Sequence, residues 1–149
     1  MPISENLKSL KKLLKVKYSQ NSPKWKKILI NINPTEHEEQ CALFEWADCW
    51  LPMVSALLFA IPMGGHRHIA VAAKLKAEGV KAGVPDIFFA LPRNGKHGLF
   101  IEMKRIKGGS VRREQKAMID RLRAAGYQVE ICKGFDAARN VLVNYMGMV

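Results

Sequence analysis

The chain has 149 residues, 48% of them apolar, which is enough to bury one core and fits most simply a single domain. No signal peptide is evident, and the longest apolar stretch, residues 51–63, is too short for a membrane span and carries two prolines. The expectation is a soluble, cytoplasmic protein with no membrane partner. Its +11 charge is unevenly spread, because residues 1–33 hold eight Lys against one Glu, a net +7, and the rest hold sixteen basic and twelve acidic residues, a net +4.

Residues 1–33 therefore read as a basic N-terminal arm. With Tyr18 and Trp25 among its lysines, such an arm suits phosphate contact and base stacking, gaining affinity through counterion release. Two other readings stay open, since Leu7, Leu10, Leu13 and Leu14 recur at helical spacing: a helix docked on the body, or one lying on a membrane surface. Only the downstream residues tip the choice toward nucleic acid.

Asn33 or Thr35 is placed to cap a helix over 36–50, with Gln40, Leu43, Phe44 and Ala47 as its apolar stripe. Glu36 falls on that stripe and Glu38 does not. A carboxylate there either sits at the exposed first turn, near the positive end of the helix dipole, or reaches a polar site at the edge of the core. A strand over 57–61, a loop at Pro62-Met63-Gly64-Gly65 and a helix over 67–78 closed by Gly79 follow. His66 and His68 read as loop residues, because no third nearby ligand completes a tetrahedral set. Cys41, Cys49 and Cys132 lack the paired spacing of a zinc site and read as reduced residues within apolar patterns.

Gly79 to Asp86 leads into the apolar run Ile87-Phe88-Phe89-Ala90-Leu91, which the turn-rich Pro92-Arg93-Asn94-Gly95-Lys96 separates from Gly98-Leu99-Phe100-Ile101 and Glu102-Met103-Lys104. Two adjacent strands joined by a short loop are expected. Residues two apart in a strand share a face, so Glu102 and Lys104 point one way and Met103 the other. Two carboxylates, Asp86 and Glu102, then meet an ammonium. Phosphodiester hydrolysis needs an activated water and neutralised phosphorane oxygens, which a hard cation on carboxylates and a nearby lysine supply.

Chance produces this pattern too. With nine Glu and sixteen Lys in the chain, random placement gives about one Glu-x-Lys. The chain has a second, Glu114-Gln115-Lys116, inside an expected helix over 111–125, where residues two apart diverge. Its apolar side is read as Ala117/Met118, Leu122 and Ala125. Between the two copies, 105–113 is a basic, glycine-containing loop suited to tracking a nucleic-acid backbone. A strand over 127–132 and a helix over 135–145 complete the order αβαββαβα, an α/β fold with a mixed β-sheet flanked by helices.

Together, Thr35-Glu36 with Gln40, Gly64-Gly65-His66-Arg67, Gly79 with Gly83-Val84-Pro85-Asp86, Ile101-Glu102-Met103-Lys104 and Gln115 resemble the VRR-NUC family, the virus-type replication-repair nucleases. That family belongs to the restriction-endonuclease-like PD-(D/E)XK superfamily, and the resemblance covers about residues 36–138. It implies a single restriction-endonuclease-like domain over 34–149. It further implies a Mg²⁺ or Mn²⁺ site with Asp86, Glu102 and the Met103 carbonyl as ligands, Lys104 beside the attacking water, and Glu36 and Gln115 as active-site residues. Glu39 rivals Glu36 for the first position.

Gly65, Arg67, Lys81, Arg105, Lys107, Arg112 and Arg113 are the expected DNA contacts. Short single-domain members resemble phage and bacterial homodimers that cut branched DNA, four-way (Holliday) junctions included, whereas larger relatives favour flaps. The leading expectation is thus a homodimeric, metal-dependent, structure-selective DNA endonuclease acting in DNA repair. A flap-type nuclease, or a nuclease-fold binding module without activity, is the alternative.

Overall fold

The computed structural model describes residues 33–62 and 69–148. The expectations for the basic arm through residue 32, and for Gly65, His66, Arg67 and His68, lie outside the described residues. Among the described residues the protein is a small α/β domain with four helices and a mixed four-stranded open sheet. In order these are α1 (Glu36–Trp50), a 3-10 turn (Ser55–Leu57), β1 (Leu58–Ala60), α2 (Ile69–Ala77), β2 (Ile87–Phe89), β3 (Leu99–Lys104), α3 (Arg113–Ala124), β4 (Gln128–Lys133) and α4 (Gly134–Met146). The chain divides into two compact units, Met1–Ser55 and Ala56–Val149.

In the first unit, Thr35 rather than Asn33 caps α1. The Glu38 N–H donates to Thr35 Oγ1 at 3.2 Å while the Thr35 N–H donates to Glu38 Oε2 at 2.8 Å, a reciprocal capping box. The bond from the Thr35 backbone holds the Glu38 carboxyl below its ordinary range. The expected stripe is displaced. Burial follows Glu39, Ala42, Leu43, Trp46 and Ala47, while Gln40, Phe44 and Glu36 are only half-buried. Trp46 explains the rotation, because an indole's large apolar area outweighs that of the residues it displaces from the inner face.

The second unit is organised by its sheet, in the order β1-β2-β3-β4. β1/β2 and β2/β3 are antiparallel and β3/β4 parallel, with Ile87 opposite Ile101 and Met103 opposite Cys132. Asn94 and Gly95, at φ 53° and 71°, form the two-residue turn joining β2 to β3. Asn-Gly is the dipeptide that most readily takes positive φ twice, and the resulting twist matches that of the strands. The turn is tied to α4, since Arg93 Nη1 donates to the Met146 carbonyl at 3.0 Å and the Tyr145 hydroxyl to the Leu91 carbonyl at 2.6 Å. Burial pushes the Tyr145 hydroxyl pKa up.

The sheet's two faces differ. Ile87, Phe89, Leu99, Ile101, Met103 and Cys132 are buried on one. On the other, Phe88 stacks on Phe100 at 4.3 Å between ring centroids, and Phe59 and Tyr127 extend the row to either side. Here α3 packs through Ile119, with Leu122 half-buried beside the same cluster. The expected apolar side of this helix needs correction: Ala117 and Ala125 are exposed, and the inward stripe is Gln115, Met118, Ile119 and Leu122. Isoleucine buries more apolar area than alanine, which turns the helix by a fraction of a turn, keeping Met118 and Leu122 on the inner side and carrying Gln115 inward.

Two further elements shape the surroundings of the sheet. α2 buries none of its residues and ends at Gly79, whose φ of 97° lets the Val80 N–H donate to the Leu75 carbonyl at 3.0 Å. Of the cysteines, Cys49 and Cys132 are buried and Cys41 is half-buried, and none is in a disulfide. No helix among the described residues is long and apolar enough to cross a membrane.

Candidate active site

The antiparallel register that pairs Ile87 with Ile101 continues by one residue to set Asp86 opposite Glu102, at the end of the strand pair away from the Asn94-Gly95 turn. Pro85, buried, fixes the chain's direction just before Asp86, whose carbonyl accepts the Ile61 N–H at 2.7 Å. The Asp86 side chain is held from below: its Oδ2 accepts the Met103 N–H at 2.8 Å. Met103 itself is fully buried on the opposite face, so its side chain anchors the strand while its backbone orients the carboxylate.

Glu102 is 1% exposed. Its Oε1 receives two donors, Lys104 Nζ at 2.6 Å and Gln115 Nε2. The strand pleat brings Lys104 to the same side, and the inward stripe of α3 brings Gln115 from above. The amide has a second task, because Gln115 Oε1 accepts the Arg112 N–H at 3.0 Å and so caps the helix. Arg has no acceptor with which to return that bond, so Gln115 alone closes the cap. One side chain therefore ties the start of α3 to the Glu102 carboxylate.

A close backbone contact fixes the remaining side. Gly83 takes φ +83°, and a Cβ there would lie 2.4 Å from the Glu114 carbonyl oxygen and 2.9 Å from the Gln115 nitrogen. Only glycine satisfies both the dihedral and the approach. The loop that delivers Asp86 is thereby pressed onto the turn that delivers Gln115.

Burial separates this ion pair from an ordinary one. Lys104 and Glu102 are 12% and 1% exposed, against 76% and 55% for the surface pair Lys74–Glu78. An exposed pair contributes about 0–1 kcal/mol, whereas losing one partner of a buried pair costs about 3–5 kcal/mol. An apolar pair of equal volume would serve stability as well or better, so stability does not account for Glu102 and Lys104.

The donor set suits a small hard cation. Asp86 and Glu102 offer carboxylates and Met103 a carbonyl, all oxygen, and Mg²⁺ is held by one or two carboxylates with water completing its shell. No group of three or more His, Cys, Asp and Glu able to hold an ion occurs among the described residues, so beyond Asp86 and Glu102 the shell of such a cation would fall to the Met103 carbonyl and water. Around the site, Lys81, Arg105, Lys107, Arg112 and Arg113 are all exposed, on the loop before Asp86, the segment after Lys104 and the start of α3. Glu36 and Glu39 belong to the first unit, where Glu39 is buried to 1% exposure and Glu36 is half-buried. Sequence reading kept Glu39 only as a rival, because it placed the stripe one residue off.

The VRR-NUC domain family matches residues 21–136 of the chain. The protein belongs to the VRR-NUC family. A solved structure described as a VRR_NUC domain protein is similar to it, with a TM-score of 0.66 and 29% identity over 76% of this chain and 89% of that one. No curated protein matches the chain. As a VRR-NUC domain, this is a nuclease fold of the PD-(D/E)XK type, a class that generally uses divalent metal ions and acts on DNA.

Proposed function

We propose that this VRR-NUC protein is a Mg²⁺- or Mn²⁺-dependent, structure-selective DNA endonuclease that works as a homodimer on four-way junctions. The observation that carries the reading is the convergence of Asp86, Glu102, Lys104 and Gln115 at one end of the β2/β3 pair. Asp86 and Glu102 would hold the cation with the Met103 carbonyl. When bound, it would supply charge neutralisation at the phosphate and a more acidic water.

The chain's own groups do the rest. Lys104 Nζ spends one of its three donors on Glu102 Oε1. Its remaining donors are available to orient the attacking water and to stabilise negative charge on the phosphorane. Gln115 holds Glu102 in place, and the Met103 N–H holds Asp86, so neither carboxylate has to reorganise as charge develops. Lys81, Arg105, Lys107, Arg112 and Arg113 would take up the flanking phosphates.

Symmetric cutting of a junction is simplest with two sites related by a two-fold axis, which favours a dimer. Of the apolar residues available for its interface, Trp50 and Met53 are 43% and 87% exposed, while Trp46 is buried in the core. The test is to incubate the protein with labelled single-stranded, duplex, flap and four-way DNA, with and without Mg²⁺ or Mn²⁺, alongside light scattering. Paired symmetric cuts in the junction by a dimer support the whole reading. A monomer that cuts one strand of a flap rejects the resolvase but keeps the nuclease, and metal-independent binding without cleavage favours the inactive module.

A further inference from the structure

The strand expected to end at Cys132 pairs one residue further. β4 runs parallel to β3 with Val129 opposite Phe100, Ile131 opposite Glu102 and Lys133 opposite Lys104. Residues paired across neighbouring strands share a face, as do alternate residues along a strand. Val129, Ile131 and Lys133 therefore stand on the face that carries Glu102 and Lys104. Val129 is buried against Phe100 and Ile119 there, whereas Ile131 is 40% exposed and Lys133 is exposed. Along β4 the cover over this face ends after Val129, while along β3 it reaches Glu102.

Lys133 occupies an electrostatically unfavourable place. It lies beside Lys104, roughly 5 Å away between Cα atoms, where like charges directly across a ladder destabilise. It is also the N-cap residue of α4 and makes no side-chain cap bond, so it sits at the positive end of a 13-residue helix. Lys104 is compensated by Glu102 at 2.6 Å. Lys133 takes part neither in that pair nor in the pairs that join Lys74 to Glu78 and Arg139 to Asp136. An anion on this face would offset both costs at once.

We infer that Lys133 is a substrate-positioning residue that binds a phosphodiester group flanking the scissile one on the same DNA strand. This rests on the nuclease reading, with the cut phosphate at Asp86, Glu102 and Lys104. β4 is the last strand of the sheet, so Lys133 extends the cationic side of the site outward from Lys104.

The test measures binding to a four-way junction, without divalent ions, across a salt series. Lys133→Met keeps the aliphatic stem and removes the charge. It should bind about five- to tenfold more weakly at fixed salt, and the slope of log affinity against log salt should shrink by about 0.9, the contribution of one phosphate contact. Lys133→Arg should restore the slope. Lys96→Met, at the exposed hairpin turn on the far end of the β2/β3 pair, should leave it unchanged. With metal present, Lys133→Met should raise KM and leave kcat nearly untouched.

A Lys133→Met slope equal to wild type, or a loss that Lys96→Met shares, overturns the assignment. Wild-type protein that binds DNA but never cuts it removes the nuclease reading, while the slope judges Lys133 separately. Protein that binds no DNA removes both.

Discussion

The pattern Glu-x-Lys occurs twice in this chain, and its two copies end in opposite environments. In β3 the two-residue repeat of the pleat turns Glu102 and Lys104 to one side, where they meet at 2.6 Å almost out of solvent. In α3 the 100° step of the helix sends Glu114 and Lys116 outward, both exposed, and turns the residue between them inward. That residue is Gln115, which donates to Glu102. The second copy thus contributes to the site through its middle position, and the same three-letter spacing means different chemistry on a strand and on a helix.

The largest expected effect is the contrast between the copies. Asp86→Asn, Glu102→Gln and Lys104→Ala should each lower cleavage by about 10²–10³-fold or more while DNA binding survives. Glu114→Gln and Lys116→Ala should cut within about twofold of wild type, because exposed helix charges at these positions touch no reacting group. Gel assays on one labelled junction measure all five. Normal cutting by Glu102→Gln in clean preparations would place the site elsewhere.

A second contrast divides the two duties of Gln115. Gln115→Ala removes both the cap on Arg112 and the donor to Glu102, so it should lower cleavage about 10–100-fold and stability by about 1 kcal/mol. Gln115→Glu keeps an acceptor for the cap but sets a carboxylate against Glu102, so cleavage should fall without recovery. Thermal melts read beside kinetics separate the two. If Gln115→Glu cuts as well as wild type, the Gln115–Glu102 bond has no catalytic role.

The two segments are joined at Gly83, where Gly83→Ala should destabilise the fold by about 1–3 kcal/mol, since alanine meets both a positive φ and the Glu114 carbonyl. Gly79→Ala has the dihedral problem alone, with nothing within 4 Å of its Cβ, and should cost less. Denaturant melts of the two variants compare them. Equal losses would mean that the close approach contributes nothing.

The smallest effect lies behind the site. Cys132 pairs with Met103 across the ladder, and burial, with Glu130 adding to it, pushes its thiol up to about 12. The folded protein should therefore keep Cys132 unlabelled by iodoacetamide at pH 8, where it is protonated. Labelling should begin only as pH nears 12 or the chain unfolds. Rapid native labelling of Cys132, read by mass spectrometry, would contradict its place in the core.

Sequence carried the element order αβαββαβα and the convergence of Asp86, Glu102 and Lys104, because strand pairing across an Asn-Gly turn and a two-residue repeat are local rules. It did not carry helix rotation. Both α1 and α3 were set by where one large side chain, Trp46 or Ile119, found the core, and composition alone does not rank faces that each hold several apolar residues. The burial of Glu39 and the inward course of Gln115 did not follow from the apolar pattern for that reason, although the family resemblance had named both residues. Lys133 was missed because the last strand was ended at its last apolar residue, and only the parallel register shows which lysine stands beside Lys104.

The most direct test of the central claim is to titrate Mn²⁺ into the protein and follow the free-ion signal by electron paramagnetic resonance. Wild type and Glu114→Gln should remove the ion from solution to the same extent, and Asp86→Asn and Glu102→Gln should leave it free. Equal uptake by all four proteins would contradict a metal site built on Asp86 and Glu102.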